Sequence, residues 1–373
     1  MRKLKVKMLA FANASQDIFD YGLSILEQYV PQNTFEFTHT NPDVLFFITG
    51  GSEKAAVEIM KHQQRIVLWS HAGDNSNASA TEVKARLNTD GKNSLLLDVD
   101  DAHFPAHAKY LQKVIAGFES MKNQQLGLLG EVSEWLVASD ISAPLLKSKF
   151  GVDLVPVSWD ALPSYEKCAP SEKFNAHFNV DQQPELIKAS RVHQLMEKTI
   201  RDNHLDAITV ECFPIVKEQS VTACLSLSLL NDENIPAGCE GDLTSIIGMM
   251  FIKSLTNQIP WMANTVKVTD TRAKFAHCTV PTKMVNNFTI PTHYETNLGP
   301  AIQGDVSAEI LTVFRFDNQL ENVFISVCRV AERPKSNNAC RTQIIAEMPE
   351  EDLKSLQNYP LGNHHLFFEG DYR

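Results

Sequence analysis

The sequence lacks several features that would each point to a particular class of protein. Its seven cysteines form no CxxC pair, and their odd number in a chain of 373 residues favours reduced thiols in a cytoplasmic protein over a disulfide framework. Basic residues are in the minority, at 34 against 45 acidic ones, which gives a formal net charge of -11. Because phosphate neutralisation requires a basic surface, we expect no nucleic-acid partner and no anionic-membrane partner.

Long apolar runs are missing as well. The longest, SIIGMMFI at 245–252, is far below the roughly 20 residues that cross a bilayer. The N-terminal stretch MRKLKVKMLAFAN is basic, but its apolar part is too short for the core of a signal peptide, and we interpret it as a first strand. No GK[ST] signature follows Gly50-Gly51, so this turn is not expected to be a phosphate-binding loop.

The sequence does contain a change of pattern along its length. Up to about residue 264, short apolar runs alternate with helical patterns, which predicts parallel sheets with helical crossovers. The polar segment at 168–185 is interpreted as a loop within this part. From about residue 265 the alternation of short strands predicts an antiparallel sheet or barrel. We therefore predict two Rossmann-like parallel-sheet α/β domains, at 1–123 and 124–264, and a C-terminal antiparallel, barrel-like β domain at 265–373.

Carboxylate and imidazole side chains recur at the ends of apolar runs. They are Glu211 in AITVECFP, Glu240 and Asp242 in AGCEGDL, His277 in KFAHCTVP, and His364 and His365 in GNHHLFF. Two carboxylates and two imidazoles brought together would form a mixed oxygen and nitrogen site for a divalent ion. Such a site suits Mn²⁺ or a similar ion acting as a Lewis acid on oxygen-rich substrates.

The local patterns leave alternatives open for several of these residues. Glu211 ends a predicted parallel strand, where α/β proteins bind ligands. Asp242 directly precedes an apolar helix, so it can be a helix N-cap, a metal ligand or both. Adjacent residues of an extended strand point to opposite faces, so one of His364 and His365 can reach a metal while the other packs elsewhere.

The order of these segments resembles the metal-dependent L-fucose isomerase and L-arabinose isomerase families. TVECFP is followed by CEGD, AHCTVP, HYETNLGPAIQGD and GNHH, and the resemblance extends from about residue 124 to the end. It implies an enzyme that interconverts an aldose and a ketose, a small open-chain sugar, through an enediol intermediate. It also implies a divalent metal, Mn²⁺ above others, and a homo-oligomer, a trimer or a hexamer.

Carried over segment by segment, the resemblance makes Glu211 and Asp242 the catalytic acids and also metal ligands. His277 matches a ligand of the arabinose enzymes. The GNHH segment matches both families, and the fucose pattern favours His364 whereas the arabinose pattern favours His365.

Four residues are weaker candidates for contacts with a sugar: Glu240, His293, Glu295 and His71. Glu240 is also the alternative to Asp242 as the second acid, because the arabinose enzymes use a glutamate near this position. His293 and Glu295 lie in a loop between predicted strands, and His71 lies in a polar segment after the strand RIVLWS. A solvated surface loop explains these last three residues as well.

Two other functions fit the same residues. One is another metal-enolate sugar enzyme on this scaffold, such as an epimerase or an aldolase. The other is a non-catalytic sugar-binding module made of α/β lobes, against which the acid-rich cluster counts. The chain is shorter than the sugar isomerases that it resembles, chiefly toward its N-terminus, so the identity of the sugar stays open.

Overall fold

A computed structural model gives the fold and describes residues 2–61, 63 and 66–373. The chain divides into two compact units, Met1–Ser120 and Met121–Arg373. The first predicted boundary, after residue 123, lies close to this division.

The first unit contains a five-stranded, entirely parallel sheet. Its strands are β1 (Leu4–Leu9), β2 (Phe35–Phe37), β3 (Val44–Phe47), β4 (Ile66–Ser70) and β5 (Ser94–Asp98). They lie in the order β2-β1-β3-β4-β5. The helices that follow β1, β3, β4 and β5 are α1 (Gln16–Tyr29), α2 (Glu53–Met60), α3 (Ser76–Thr89) and α4 (Phe104–Met121).

Both faces of this sheet are buried. Because successive side chains of a strand point to opposite faces, one apolar strand can contribute to two cores. On one face Val6 packs in a cluster with Leu26 of α1 and Phe104 of α4. On the other face Leu45 packs in a cluster that includes Val83 of α3. Helices covering both faces of a parallel sheet confirm the predicted α/β class.

The second unit begins with another parallel sheet. Its strands are β6 (Gln125–Leu129), β7 (Asp153–Val157), β8 (Ala207–Val210) and β9 (Ala237–Cys239), in the order β7-β6-β8-β9. The helices are α5 (Ala143–Phe150), α6 (Glu172–Phe178), α7 (Pro184–Asp202), α8 (Phe213–Gln219), α9 (Cys224–Asp232) and α10 (Leu243–Thr256). Short 3-10 turns lie at Trp159–Ala161 and Tyr165–Lys167.

Helix α6 corrects the interpretation of 168–185 as a loop. The side chain of Ser171 caps this helix by accepting the backbone N–H of Phe174 at 3.3 Å. Phe174 and Phe178 lie one turn apart, both buried, with ring centroids 4.7 Å apart. The loop prediction was wrong because a helix of seven residues gives little periodic signal within a polar segment.

The rest of the second unit is antiparallel. Its strands are β10 (Trp261–Val268), β11 (Arg272–His277), β12 (Val285–Thr289), β13 (Gln303–Val306), β14 (Ile310–Phe316), β15 (Val323–Glu332), β16 (Thr342–Glu347) and β17 (His364–Glu369). Six of them close a barrel in the order β10-β11-β16-β15-β14-β17, while β12 and β13 pair separately. A 3-10 turn at Thr282–Met284 precedes β12, and helix α11 (Glu350–Asn358) precedes β17. The predicted antiparallel barrel is thus confirmed, although the predicted boundary after residue 264 falls inside β10.

Helix α10 joins the sheet of the second unit to the barrel. It packs against β8 and β9 on one side and against β14 and β17 on the other. All residues from Leu243 to Ile252 are buried, which explains the unbroken apolar pattern of this segment. Among the residues that the structure describes, no helix is both long and apolar enough to cross a membrane.

Candidate functional site

Glu211 and Glu240 leave the same edge of the sheet in the second unit. Val210 at the end of β8 is paired in parallel register with Cys239 at the end of β9. The residue that follows each strand is a glutamate, Glu211 after β8 and Glu240 after β9. The carboxyl edge of a parallel sheet is where α/β proteins bind ligands, so both acids lie at an edge that suits a ligand site.

The loop after β6 holds both glutamates. The backbone N–H of Glu131 donates to Oε2 of Glu211 at 2.9 Å, and the backbone N–H of Ser133 donates to the carbonyl oxygen of Glu240 at 3.1 Å. A Cβ at Gly130 would lie 2.5 Å from Oε2 of Glu211. A side chain at that position would therefore displace the carboxylate.

Glu240 and Gly241 form a left-handed turn, with φ of 62° and 69°. This conformation is costly for a glutamate and is concentrated at functional sites. At Gly241 a Cβ would lie 2.2 Å from the carbonyl oxygen of Glu131, so only glycine fits. The indole Nε1 of Trp135 donates to Oε2 of Glu240 at 2.6 Å. The turn and the indole together fix the direction of the Glu240 side chain.

The other oxygen of Glu240, Oε1, faces two imidazoles from the barrel. Nε2 of His277, at the end of β11, lies 3.8 Å away, and Nε2 of His364, at the start of β17, lies 3.7 Å away. These separations are too long for hydrogen bonds. One donor atom from each residue lies within 4.8 Å of the others, which is compatible with ligands that share one ion. We call these three residues the Glu240 cluster.

Asp242 lies behind His364. Its Oδ1 caps helix α10 by accepting the backbone N–H of Ser245 and the hydroxyl of Thr244, both at 2.7 Å. Its Oδ2 accepts from Nδ1 of His364 at 2.8 Å, and the guanidinium of Arg315 lies 3.8 Å from the same oxygen. Both carboxylate oxygens of Asp242 thus have partners within the protein.

The electrostatic environment keeps both carboxylates ionised. Burial alone would raise the pKa of Asp242, but the hydrogen bond from His364 and the charge of Arg315 outweigh it and hold this pKa well below its usual range. Burial also acts to raise the pKa of Glu240, and the neighbouring imidazoles of His277 and His364 lower it to about 2. Two negative charges are therefore available at neutral pH.

The hydrogen bonding of the imidazoles fits a metal. Since an ionised carboxylate can only accept, Nδ1 of His364 carries the proton, and a neutral ring then presents a lone pair on Nε2. Within the described part of the chain, this Nε2 is buried without a hydrogen-bond partner. Nδ1 of His277 pairs with the hydroxyl of Thr279 at 2.9 Å. Histidine ligands are typically oriented in this way through their other nitrogen, and one carboxylate with two imidazoles suits a divalent transition ion.

His293 and Glu295 lie in the electrostatic neighbourhood of the Glu240 cluster. His293 is buried, with Nδ1 3.1 Å from the hydroxyl of Thr296. Burial, with a contribution from His277, lowers the pKa of His293 to about 4. Partial desolvation, followed by the negative charge of Glu240, raises the pKa of Glu295. His293 and Glu295 thus interact electrostatically with residues of the Glu240 cluster.

The two remaining histidine candidates lie elsewhere. The ring of His365 packs between Phe275, at a centroid distance of 6.0 Å, and Phe324, at 5.4 Å. Burial lowers the pKa of His365 to about 3. His71 belongs to the first unit, where its Nε2 is 2.8 Å from the carbonyl oxygen of Ile48. Neither residue is part of the Glu240 cluster.

Two residues of the site were missed in the sequence, although each carries a signal. Trp135 follows the apolar run QLGLL, and a loop after a parallel strand is expected at the carboxyl edge. Arg315 interrupts the apolar strand ILTVFRF, and a charge that is buried requires a partner. Arg315 is 2% exposed and donates to the carbonyl oxygen of His364 at 2.6 Å. It therefore helps to hold the backbone of His364 in place.

Comparison with known proteins yields distant relatives. No family model matches the chain. The sulfoquinovose isomerase of Alkalicoccus urumqiensis is 23% identical over 228 residues, which cover 57% of this chain and 50% of that protein. The enzyme of the same name from Priestia megaterium is 20% identical over 221 residues, covering 54% and 49%. That of a Clostridium species is 22% identical over 179 residues, covering 45% and 40%.

The chain thus spans about half the length of the curated relatives that it matches. The predicted resemblance to sugar isomerases is confirmed in this coarse form, through relatives that are isomerases by name. The finer resemblance to the L-fucose and L-arabinose isomerase families stays a prediction.

Proposed function

We propose that this chain is an aldose-ketose isomerase that acts on the open-chain form of a sugar at the Glu240 cluster, with a divalent ion such as Mn²⁺. The observation that carries the proposal is the pairing of Asp242 with His364. It leaves a buried, unpartnered Nε2 directed toward Glu240. The names of the relatives support a sugar isomerase, and sulfoquinovose is accordingly the first substrate to test.

In this proposal Glu240, His277 and His364 hold the ion. Asp242, which the sequence put forward as a ligand, instead orients His364, because both of its oxygens are already engaged. When bound, the ion would polarise the sugar carbonyl and stabilise the negative charge that develops on its oxygen.

Glu211 is the proposed carrier of the proton between the two carbons. Its carboxylate takes the proton from the carbon beside the carbonyl and returns it to the former carbonyl carbon, while a proton moves from one sugar oxygen to the other. No atom is gained or lost, and no electron acceptor is required. The N–H of Glu131 holds one carboxylate oxygen in place. Glu295, whose pKa is raised, is suited to exchange the proton with the sugar oxygens.

The test is a panel of aldoses that includes sulfoquinovose, L-fucose and L-arabinose, incubated in D₂O with the Mn²⁺-loaded and the metal-stripped protein. We expect ketose formation with the loaded protein only, and deuterium at the carbon that receives the proton. Deuterium exchange without ketose would favour the alternative of another metal-enolate sugar enzyme, an epimerase or an aldolase, and the absence of both would favour a sugar-binding module. Undiminished turnover after stripping would contradict the metal part of the proposal. Light scattering would check the homo-oligomer, a trimer or a hexamer, that the resemblance implies.

A further inference from the structure

A second group of histidine and carboxylate side chains lies in the helical part of the second unit. His193 and Glu197 lie one turn apart on α7, and Glu233 follows the last residue of α9. Nε2 of His193 is 3.7 Å from Oε2 of Glu197. One donor atom from each of the three residues lies within 4.8 Å of the others. We call this group the His193 cluster, and it shares no residue with the Glu240 cluster.

His193 has no hydrogen-bond partner among the residues that the structure describes. Its side chain is fully buried, and neither ring nitrogen is hydrogen-bonded. Buried polar atoms are almost always paired, and an exception calls for an explanation such as an ion. The ring packs against Phe174, at a centroid distance of 5.5 Å. Burial lowers the pKa of His193 to about 4, so at neutral pH the ring is neutral and has a lone pair to donate.

A cation already lies between the two carboxylates. The ammonium of Lys173 is 2.8 Å from Oε1 of Glu197 and 2.9 Å from the carboxylate of Glu233. It binds both carboxylates but compensates only one of their two negative charges, and it does not contact the ring nitrogens of His193 by a hydrogen bond. The Lys173 side chain is 53% exposed, so an ammonium displaced by an ion would be solvated by water.

We propose that His193, Glu197 and Glu233 form a second divalent metal site, in which the ion replaces the ammonium of Lys173. The ion would satisfy the two carboxylates, as Lys173 does, and in addition the buried imidazole. One imidazole nitrogen with carboxylate oxygens suits Zn²⁺ and Co²⁺. Because the ligands come from α7 and from the end of α9, the bound ion would link these two helices. This site has a structural role that does not depend on the proposed isomerase activity.

The experiment uses the full chain with the Glu240 cluster disabled by His277→Gln and His364→Gln. Co²⁺ and Zn²⁺ are titrated against a chromophoric chelator, and the visible absorption of bound Co²⁺ is recorded. We expect one ion per chain to remain bound. Glu197→Gln should weaken this binding at least about tenfold, and Lys173→Met should tighten it about tenfold by removing the competing charge.

Lys198→Met is the matched control, because Lys198 is an exposed lysine of α7 that pairs with Asp202. It should leave the affinity unchanged. Equal effects of Lys173→Met and Lys198→Met, or equal binding with and without Glu197, would overturn the proposal. If the disabled background fails to fold, the ion count of the otherwise native chain decides. A fall from two ions to one on Glu197→Gln supports the site, and an unchanged count contradicts it.

Discussion

The Glu240 cluster and the His193 cluster use the same chemical groups on different backbones. The first takes its residues from a left-handed turn and from the ends of two barrel strands. The second takes two of its residues from consecutive turns of the regular helix α7. His364 is held by a buried carboxylate, whereas no hydrogen bond from any described residue orients His193. Within the part of the chain that the structure describes, Glu240 forms ion pairs with histidines alone, whereas the ammonium of Lys173 lies between the acids of the second cluster.

The two clusters therefore differ in how their donor atoms are oriented, and not in how close together these atoms lie. A helix brings a histidine and a glutamate together at no conformational cost. The Glu240 cluster instead depends on a strained turn and a supporting carboxylate, which fix the orientation of its side chains. Strain and support of this kind are typical of functional sites. We therefore expect the Glu240 cluster to bind its ion more tightly and to carry the turnover.

The largest expected effect comes from Glu240→Gln. The amide keeps the shape of the side chain but removes the charge that the two imidazoles face. Turnover should fall by about 100-fold or more, on the scale of losing a group that acts in the transition state. Glu350→Gln, at an exposed carboxylate of α11 that pairs with Lys354, is the control and should retain full activity. A Glu240→Gln protein with more than a tenth of the original kcat would remove this residue from the site.

Gly241→Ala should break the first cluster and leave the second intact. The added Cβ would lie 2.2 Å from the carbonyl oxygen of Glu131, and the residue would also have to keep φ near 69°. We expect a loss of about 3 kcal/mol in the free energy of unfolding, together with loss of Mn²⁺ binding.

Gly91→Ala separates the two causes of this loss. Gly91 has φ of 68°, but a Cβ there would meet no atom within 4 Å. It should cost only about 1 kcal/mol and leave Mn²⁺ binding unchanged. Urea unfolding and Mn²⁺ titration of both variants provide the measurements. Equal costs for the two substitutions would show that the contact with Glu131 is unimportant.

Asp242→Asn tests whether orientation distinguishes the clusters. Asparagine remains a good N-cap for α10, but it removes the charge that holds His364 and faces Arg315. We expect the Kd for Mn²⁺ to rise about 10- to 100-fold, as is typical when a residue that supports a ligand is lost. Isothermal titration measures this, and Co²⁺ binding at the His193 cluster should not change. An unchanged Mn²⁺ affinity would contradict an orienting role.

The smallest effect is expected from Trp135→Phe. Phenylalanine can keep the edge contact with Phe213, where the ring centroids are 4.9 Å apart, but it cannot donate to Glu240. Because Trp135 is 51% exposed, water can replace the lost donor. We expect kcat to fall only about threefold, the scale of one net hydrogen bond. A loss as large as that of Glu240→Gln would assign Trp135 a direct role with substrate.

Much of the fold was predictable because the apolar patterns of several strands match the faces that those strands bury. The fully buried VLFF of β3 predicts a parallel strand covered on both faces, and the alternating pattern of β15 predicts a strand buried on one face. The start of the barrel, which was predicted after residue 264 and falls inside β10, was harder to predict. Its first three residues are buried and only the later ones are exposed, so the alternation that marks a barrel strand begins after the strand has started.

The arrangement of the candidate site depends on geometry that the local sequence does not contain. Glu240 and Asp242 are two residues apart. The left-handed turn at Glu240 and Gly241 decides that Glu240 faces Nε2 of the histidines, while Asp242 accepts from Nδ1 of His364. For His364 and His365, alternation predicts that only one points to the site. Which one does so depends on barrel register, in which His364 is opposite Asn264. Their roles as ligands stay predictions until metal binding is measured.

Strand β17 is part of two structures at once, the barrel and the Glu240 cluster. It pairs with β10 on one side and with β14 on the other in the closed barrel, and its first residue, His364, faces Glu240. The β10 pairing joins residues such as Asn264 and His364 that are far apart in the chain, and such non-local contacts form slowly during folding. A partly folded chain can therefore present the carboxylates but not the complete cluster. Tight ion binding would then mark the moment at which the barrel has closed, and a chelator present during refolding should leave the rate of closure unchanged while lowering the stability of the closed product.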